Sequence, residues 1–372
     1  MPLDPLFVAL LAALVSAIMA PVVIAAGVPD APDQQRKAHQ AVTPTCGGLA
    51  IAAGFALSLA VMCLLPAARW EDQLNVDMVA RLGVAAALAF AALAVGFVDD
   101  VRPLGARLKF AVIAALSVVA ALFVAHTEAL PLAGEATVRL GFAVGVLGSA
   151  LWVFTLVNAT NFVDGANGLS MGSLAIGLGG LAWVSYAAGA PHAAILALAG
   201  VGGAIGFLLW NFPRGLVFAG DAGALFMGTL AACAALVAVM DGGVSPFIPP
   251  VLFFPILADV LLTLAWRLKR GRPLLAAHRD HLFQIGLRAG LGHARVTLLF
   301  WAATAVSACI GVWADGAQRA GGVPLAGDEA GVALAWLDSA APALALMGLA
   351  LGSIALAIRL RAYARGHGLD LD

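Results

Sequence analysis

Charge is scarce in this sequence. Asp, Glu, Lys and Arg make up 11% of its 372 residues, where a water-soluble protein of this size carries roughly a quarter. With 62% hydrophobic residues and a mean hydropathy of +0.99, that poverty excludes an ordinary soluble enzyme. Strands of alternating polarity are missing too, so a β-barrel is unexpected and helices must satisfy the backbone in lipid. Cysteine is sparse. Cys46, Cys63, Cys233 and Cys309 lie far apart, in or beside apolar runs. They show neither metal spacing nor a disulfide framework and read as small buried hydrophobes. Internal repeats and low-complexity linkers are absent, so residues 1–372 are read as one membrane domain. The net charge of −1 shows no basic excess, and nucleic acid is not expected as a partner. No basic residue precedes the first apolar run, whereas Arg36 and Lys37 follow it. That pattern suits a retained first helix with its N-terminus outside.

What is present is a series of apolar runs near twenty residues long, the mark of a polytopic all-α membrane protein. About eleven spans are expected, near 5–28, 46–66, 79–98, 108–125, 140–157, 169–188, 193–212, 222–240, 247–266, 295–313 and 338–358. Residues 314–337 read as an outer loop, with a short helix as the alternative. With the N-terminus outside, 16 of the 20 Lys and Arg fall inside or at inner helix ends. The outer loops hold acids instead, among them Glu71, Asp72, Asp77, Glu128 and Asp241. This bias favours a periplasmic N-terminus and a cytoplasmic C-terminus.

Every polar cluster with chemical potential then falls on the inner side. Residues 158–168, Asn-Ala-Thr-Asn-Phe-Val-Asp-Gly-Ala-Asn-Gly, stand between two apolar runs. Three asparagines and an aspartate there are costly unless they face water or a ligand, and a polar turn is the plain alternative. Asp99 and Asp100 end the third span. Adjacent carboxylates repel, and a cation or a basic group nearby, such as Lys109, relieves them. Asp221 sits between Gly220 and Gly223 at a helix start, where it either caps the helix or holds a metal beside a phosphate. The loop from Arg267 to Arg295 contains 7 of the 20 basic residues and the group His278-Arg279-Asp280-His281. Anionic lipid headgroups account for that excess, as does phosphate recognition by arginine forks, which is preferred. Zinc is weakly supported, because a third ligand is missing nearby. Asp259 lies inside an apolar run, where an acid is turned inward and paired.

Five of these clusters, in this order, resemble the polyprenyl-phosphate N-acetylhexosaminyl-1-phosphate transferase superfamily, which includes the phospho-MurNAc-pentapeptide translocase. The matching segments are Arg36-Lys37-x-His39 with Gly47-Gly48; Gly96-Phe97-Val98-Asp99-Asp100; Asn158-x-x-Asn161-x-x-Asp164-Gly165-x-Asn167-Gly168-Leu169; Asn211-Phe212-Pro213 with Phe218-x-Gly220-Asp221-x-Gly223; and His278-Arg279-x-His281. They span about residues 5–315, beyond which a further helix is expected near 338–358. Eleven spans are similar to the O-antigen-initiating branch. Three departures stand out. Arg102-Pro103 follows the paired aspartates where an acid is common, Ala224 replaces a serine, and His281-Leu282-Phe283-Gln284 replaces His-x-His-His. They bear on sugar identity more than on reaction type.

The resemblance implies transfer of an N-acetylhexosamine 1-phosphate from a UDP-sugar to undecaprenyl phosphate in the bacterial inner membrane, initiating a cell-surface glycan such as O-antigen. It implies Mg2+, or Mn2+ in its place. It assigns Asp221 to the metal with Asp100 near it, and Asp99 to the lipid phosphate. Asn161, Asp164, Asn211 and Phe218 would form the nucleotide pocket, with Phe218 stacking on uracil. Lys109, Arg279 and His281 would bind phosphates, assisted by Lys37 and His39, and Asn167 would support the loop or touch substrate. A homodimer among membrane lipids fits the same resemblance. The alternative from another class is a transporter or flippase for an anionic substrate, which would gather its polar groups near the bilayer midplane and carry repeated halves.

Overall fold

Small residues set the packing of the computed structural model, which describes residues 5–26, 29–30, 43–64, 76–134, 136–274, 278–320 and 329–366. The chain begins with α1 (Pro5–Ala26), a two-residue antiparallel pair of β1 (Pro29–Asp30) with β2 (Thr43–Pro44), α2 (Gly48–Leu64), α3 (Val76–Val101) and α4 (Ala106–Phe123). A hairpin of β3 (Ala129–Ala133) and β4 (Ala136–Arg139) follows. Then come α5 (Gly141–Val163), α6 (Leu169–Ala187), α7 (Pro191–Asn211), α8 (Gly220–Gly242), α9 (Ile248–Leu252) and α10 (Phe254–Lys269). The short α11 (Leu282–Arg288) and the long α12 (His293–Ala320) and α13 (Glu329–Gly366) complete the chain. Among the described residues nine helices are long and apolar enough to cross a membrane, so the protein is all-α and polytopic. Leu10, Leu147, Leu299 and Leu351 point outward on α1, α5, α12 and α13, as lipid-facing side chains do.

The bundle is built around α8. Every residue from Ala222 to Ala238 is buried, and the stretch holds many alanines and glycines. Small side chains let helix axes approach closely where the hydrophobic effect gives no preference between helix and lipid. Two glycines on neighbouring helices show how close. A Cβ on Gly48 of α2 would strike the Gly223 backbone, and one on Gly96 of α3 would strike the Asp221 carbonyl. These contacts bring α2 and α3 against the first turn of α8.

Several element ends differ from expectation. The asparagine-rich stretch is not all loop, because α5 continues through Val163 and leaves only residues 164–168 as the turn. Asn158 fits inside the helix because its amide donates to the Phe154 carbonyl at 2.7 Å, so its polarity is absorbed locally. Asp99 and Asp100 are likewise in the last turn of α3. The ninth expected span is two helices, α9 and α10, parted at Phe253 (φ −103°, ψ 17°). Pro255 follows there, and a proline withholds an N–H that a continuous helix would need. Helix α12 runs on to Ala320 past the expected end at 313, with an Arg319 Nε–Asp315 ion pair of 2.8 Å one turn apart on it. Within the segment 314–337, expected as an outer loop, residues 314–320 and 329–337 are thus helical.

Polar groups collect at the two ends of the bundle. One end gathers the C-termini of α3, α5 and α7 and the N-termini of α4, α6 and α8. The opposite end has a smaller set, in which Arg81 lies 2.6 Å and His192 3.3 Å from the Asp241 carboxylate.

Candidate active site

At the first end, two carboxylates and one ammonium meet. Lys109 Nζ lies 2.8 Å from Asp99 Oδ2 and 2.7 Å from Asp221 Oδ2. Asp99 Oδ1 accepts the Leu104 N–H at 2.5 Å, which closes the turn between α3 and α4 and brings Lys109 back over the carboxylate. The other oxygen of Asp221 accepts from the Asn161 amide at the end of α5. Four helices therefore each contribute one chemical group. Of these three ion-paired side chains, Asp221 is the most open, 29% exposed against 9% for Asp99 and 15% for Lys109.

Asp100 has a different place. Its two oxygens accept the backbone N–H groups of Asp221 and Ala222 at 2.9 and 3.0 Å. Helix α8 has no side-chain cap of its own, and a carboxylate at unpaired N-terminal amides is favoured by hydrogen bonding and by the helix dipole. The capping role open to Asp221 from sequence thus belongs to Asp100, supplied from α3. Cys46 Sγ approaches the same carboxylate at 3.8 Å.

The turn after α5 is clamped from both sides. Gly168 is left-handed (φ 75°), a conformation that costs glycine little. Its N–H donates to Asn211 Oδ1 at 2.5 Å and its carbonyl accepts from Trp301 Nε1 at 3.0 Å. The Asn211 amide also donates to the Val217 carbonyl at 2.7 Å. Asn167 donates to the Pro213 carbonyl at 3.0 Å, and its own carbonyl accepts from Thr297 at 2.7 Å. Both asparagines therefore tie the 164–168 turn to the segment joining α7 and α8. Asp164 accepts from the Ser170 hydroxyl. Burial pushes the Asp164 carboxyl up to about 7, the Asp221 and Asp100 charges add to that rise, and the Ser170 hydrogen bond offsets part of it.

The segment 278–281 forms the third wall. His281 is buried, its Nδ1 lies 3.4 Å from Asp259 Oδ2, and its ring stacks between His278 and Phe283 at 5.0 and 6.0 Å. Phe162, from the last turn of α5, is 6.0 Å from the same ring. Asp259 also accepts the Leu282 N–H at 2.5 Å, so this intramembrane acid is paired, as its position requires. Burial lowers His278 to about 4, helped by His281 and Arg267, so its ring is neutral at pH 7.

The structure thus brings together Asp99, Asp100, Lys109, Asn161, Asp164 and Asp221, with Asn167 and Asn211 framing the turn. His281 joins through Phe162, and Arg279 precedes it on the same segment. Phe218 is half-buried beside the start of α8, its N–H on the Pro44 carbonyl at 2.9 Å and its carbonyl on the Gly47 N–H at 2.8 Å. Lys37 and His39 lie outside the described residues. Sequence reasoning missed Ser170, Thr297 and Trp301. Each is an ordinary residue of an apolar run until the fold places it beneath the turn, and the indole N–H of Trp301 was the one available signal.

Among the described residues no three His, Cys, Asp or Glu side chains converge into a metal-holding group. The donors present are nonetheless carboxylate oxygens around the open Asp221. Mg2+ is commonly held by one or two carboxylates and completed by substrate phosphates, and this set fits that manner of binding.

Comparison with known proteins places relatives beside this chain. The model of "Glycosyl transferase family 4" matches residues 81–239, from early α3 to late α8. The decaprenyl-phosphate N-acetylglucosaminephosphotransferase of Mycobacterium leprae is 31% identical over 294 residues, covering 72% of each chain. The probable undecaprenyl-phosphate N-acetylglucosaminyl 1-phosphate transferase of Bacillus subtilis is 27% identical over 292 residues, 77% of each. The phospho-N-acetylmuramoyl-pentapeptide-transferase of Corynebacterium diphtheriae is 30% identical over 314 residues, 72% of this chain and 83% of that protein.

Proposed function

Because this chain belongs to the polyprenyl-phosphate sugar-1-phosphate transferases of glycosyl transferase family 4, we propose that it transfers an N-acetylhexosamine 1-phosphate from a UDP-sugar to undecaprenyl phosphate. The products are undecaprenyl-diphospho-sugar and UMP, and the reaction initiates glycan synthesis at the inner membrane. Family membership sets the transporter alternative aside. The observation that carries the reading is the meeting of Asp99, Asp221 and Asn161 around Lys109 at one end of the bundle.

The chemistry needs little covalent help from the protein. An oxygen of the lipid phosphate, ionised at neutral pH, attacks the sugar-linked phosphorus. The bond from that phosphorus to the bridging oxygen breaks, and UMP leaves with the oxygen. Two anions must meet, so positioning and charge stabilisation supply the rate. Asp221 would hold Mg2+, with Asp100 fixing the helix start beneath it. Bound there, the ion supplies positive charge to the diphosphate. Lys109 adds a second positive charge between the reactants. Asp99, already hydrogen-bonded on the α3–α4 turn, orients the attacking phosphate. Asn161 and Asp164 face the nucleotide, Phe218 stacks on its base, and Arg279 and His281 receive its phosphates. Lys37 and His39 assist from the first inner loop.

The orientation we propose puts this end in the cytoplasm, with the N-terminus periplasmic and the C-terminus cytoplasmic. It rests on the 16 of 20 basic residues on that side and counts α2 and the α9–α10 pair as spans, giving about eleven. The site groups come from one chain, so a second copy is not needed to assemble them.

The test is Mg2+-dependent UMP release by the purified protein in detergent, given undecaprenyl phosphate and a panel of UDP-N-acetylhexosamines. Turnover with one of them, lost on chelation, is expected. No UMP from any of them would refute the reading.

A further inference from the structure

We propose that Arg361, near the end of α13, is a positioning residue for the 279–281 segment and thereby for UDP-sugar binding; this rests on the function proposed above. Positive charge at the cytoplasmic end of a last helix has an ordinary explanation in membrane topology, and Arg359, which is exposed, needs no other. Arg361 does not fit it. Its residue is only 6% exposed, and a guanidinium withdrawn from water must be compensated by acceptors. One of its terminal nitrogens donates to the Asp280 carbonyl at 3.3 Å and to Thr263 Oγ1 at 3.2 Å. Thr263 in turn donates to the same carbonyl at 3.4 Å. The guanidinium carbon stands 4.4 Å over the Trp266 ring, a cation–π placement that further fixes its plane.

Asp280 is therefore held at two points by two helices. Its backbone oxygen is held by Arg361 from α13, and its carboxylate pairs with the buried Arg267 of α10. Arg279 and His281 are its immediate neighbours, so whatever fixes Asp280 fixes both. The last turn of α13 also packs here, with Ala364 buried against Ile285 of α11 beside Trp266 and Leu282. An arginine 81 residues away in sequence thus braces the segment assigned to phosphates, without touching the Asp99–Lys109–Asp221 group.

A misplaced binding group weakens the interactions it makes with the substrate. Arg361→Ala is expected to raise KM for the UDP-sugar on the order of tenfold, with KM for the lipid phosphate and the Mg2+ requirement unchanged. Arg361→Lys should restore part of the loss, and Arg359→Ala should behave as the wild type. Thr263→Val, which removes only the shared hydroxyl, should move the same KM in the same direction by less, and serves if Arg361→Ala fails to fold. Hydrogen exchange without substrate provides a readout independent of turnover: amides of residues 280–285 should exchange faster in the folded variant. Unchanged KM and unchanged exchange in a folded Arg361→Ala protein, or equal weakening of both substrates, would overturn the proposal. A wild-type protein that releases no UMP refutes the function instead, and exchange then still decides whether Arg361 holds the segment.

Discussion

Asp100 accepts the backbone N–H of Asp221 at 2.9 Å. One acid spends its charge on the helix end that presents the other, so two carboxylates at one site have separate duties. Loss of a cap costs about 1 kcal/mol. Asp100→Ala is therefore expected to lower thermal stability in detergent by that order. Asp221→Asn should leave folding intact, since it removes a charge from a crowded anionic site, while transfer falls at least about a hundredfold. Near-normal turnover by Asp221→Asn would remove the metal assignment.

Among the described residues, Lys109 is the basic side chain that pairs with both Asp99 and Asp221. Lys109→Met leaves two carboxylates facing each other and removes a positive charge from the reaction zone. Its kcat/KM should drop by roughly a hundredfold. Steady-state kinetics on both substrates measures this, and comparable loss in Lys109→Arg would show that geometry matters beyond charge.

Asp164, at about 7, titrates where the enzyme works. If its ionised form serves the reaction, kcat/KM rises with pH through about 7 and levels above it. Ser170 donates to this carboxylate and favours ionisation, so Ser170→Ala should move that limb to higher pH. An unmoved limb would assign it to another group. The stability sign is opposite. The folded chain holds this proton more tightly than the unfolded one, so the Asp164 contribution favours folding least above pH 7 and regains strength as pH falls from about 7 to about 4.

Two glycines of α3 separate packing from propensity. Gly96 meets the Asp221 carbonyl, whereas a Cβ on Gly83 meets nothing within 4 Å. Gly96→Ala should lower stability by about 1–3 kcal/mol, the usual cost of overpacking, and disturb activity with it. Gly83→Ala should be neutral or stabilising by up to about 1 kcal/mol. Thermal unfolding of the two variants side by side checks both.

Much of this protein is written in one dimension. Apolar length alone marks the membrane helices, because lipid demands a fixed thickness and a closed set of backbone hydrogen bonds. Asp99, Asp100, Lys109, Asn161, Asp164 and Asp221 are conspicuous because polar groups are costly beside apolar runs, so each one present needs a reason. The end of α5 was not legible. Asn158 and Asn161 look like loop residues until Phe154 and Asp221 are seen to absorb their amides.

Division of labour within the site was decided by the tertiary structure. Adjacent letters at 99 and 100 are chemically identical, and only the approach of α8 makes one of them a cap and leaves the other to Lys109. Trp301 offered only its indole N–H and Arg361 no local signal, because their partners lie 133 and 81 residues away. Composition and spacing determine which groups must leave lipid and at which helix ends. Which partner each group finds there depends on contacts between segments remote in the chain, and these exist only once the helices have packed.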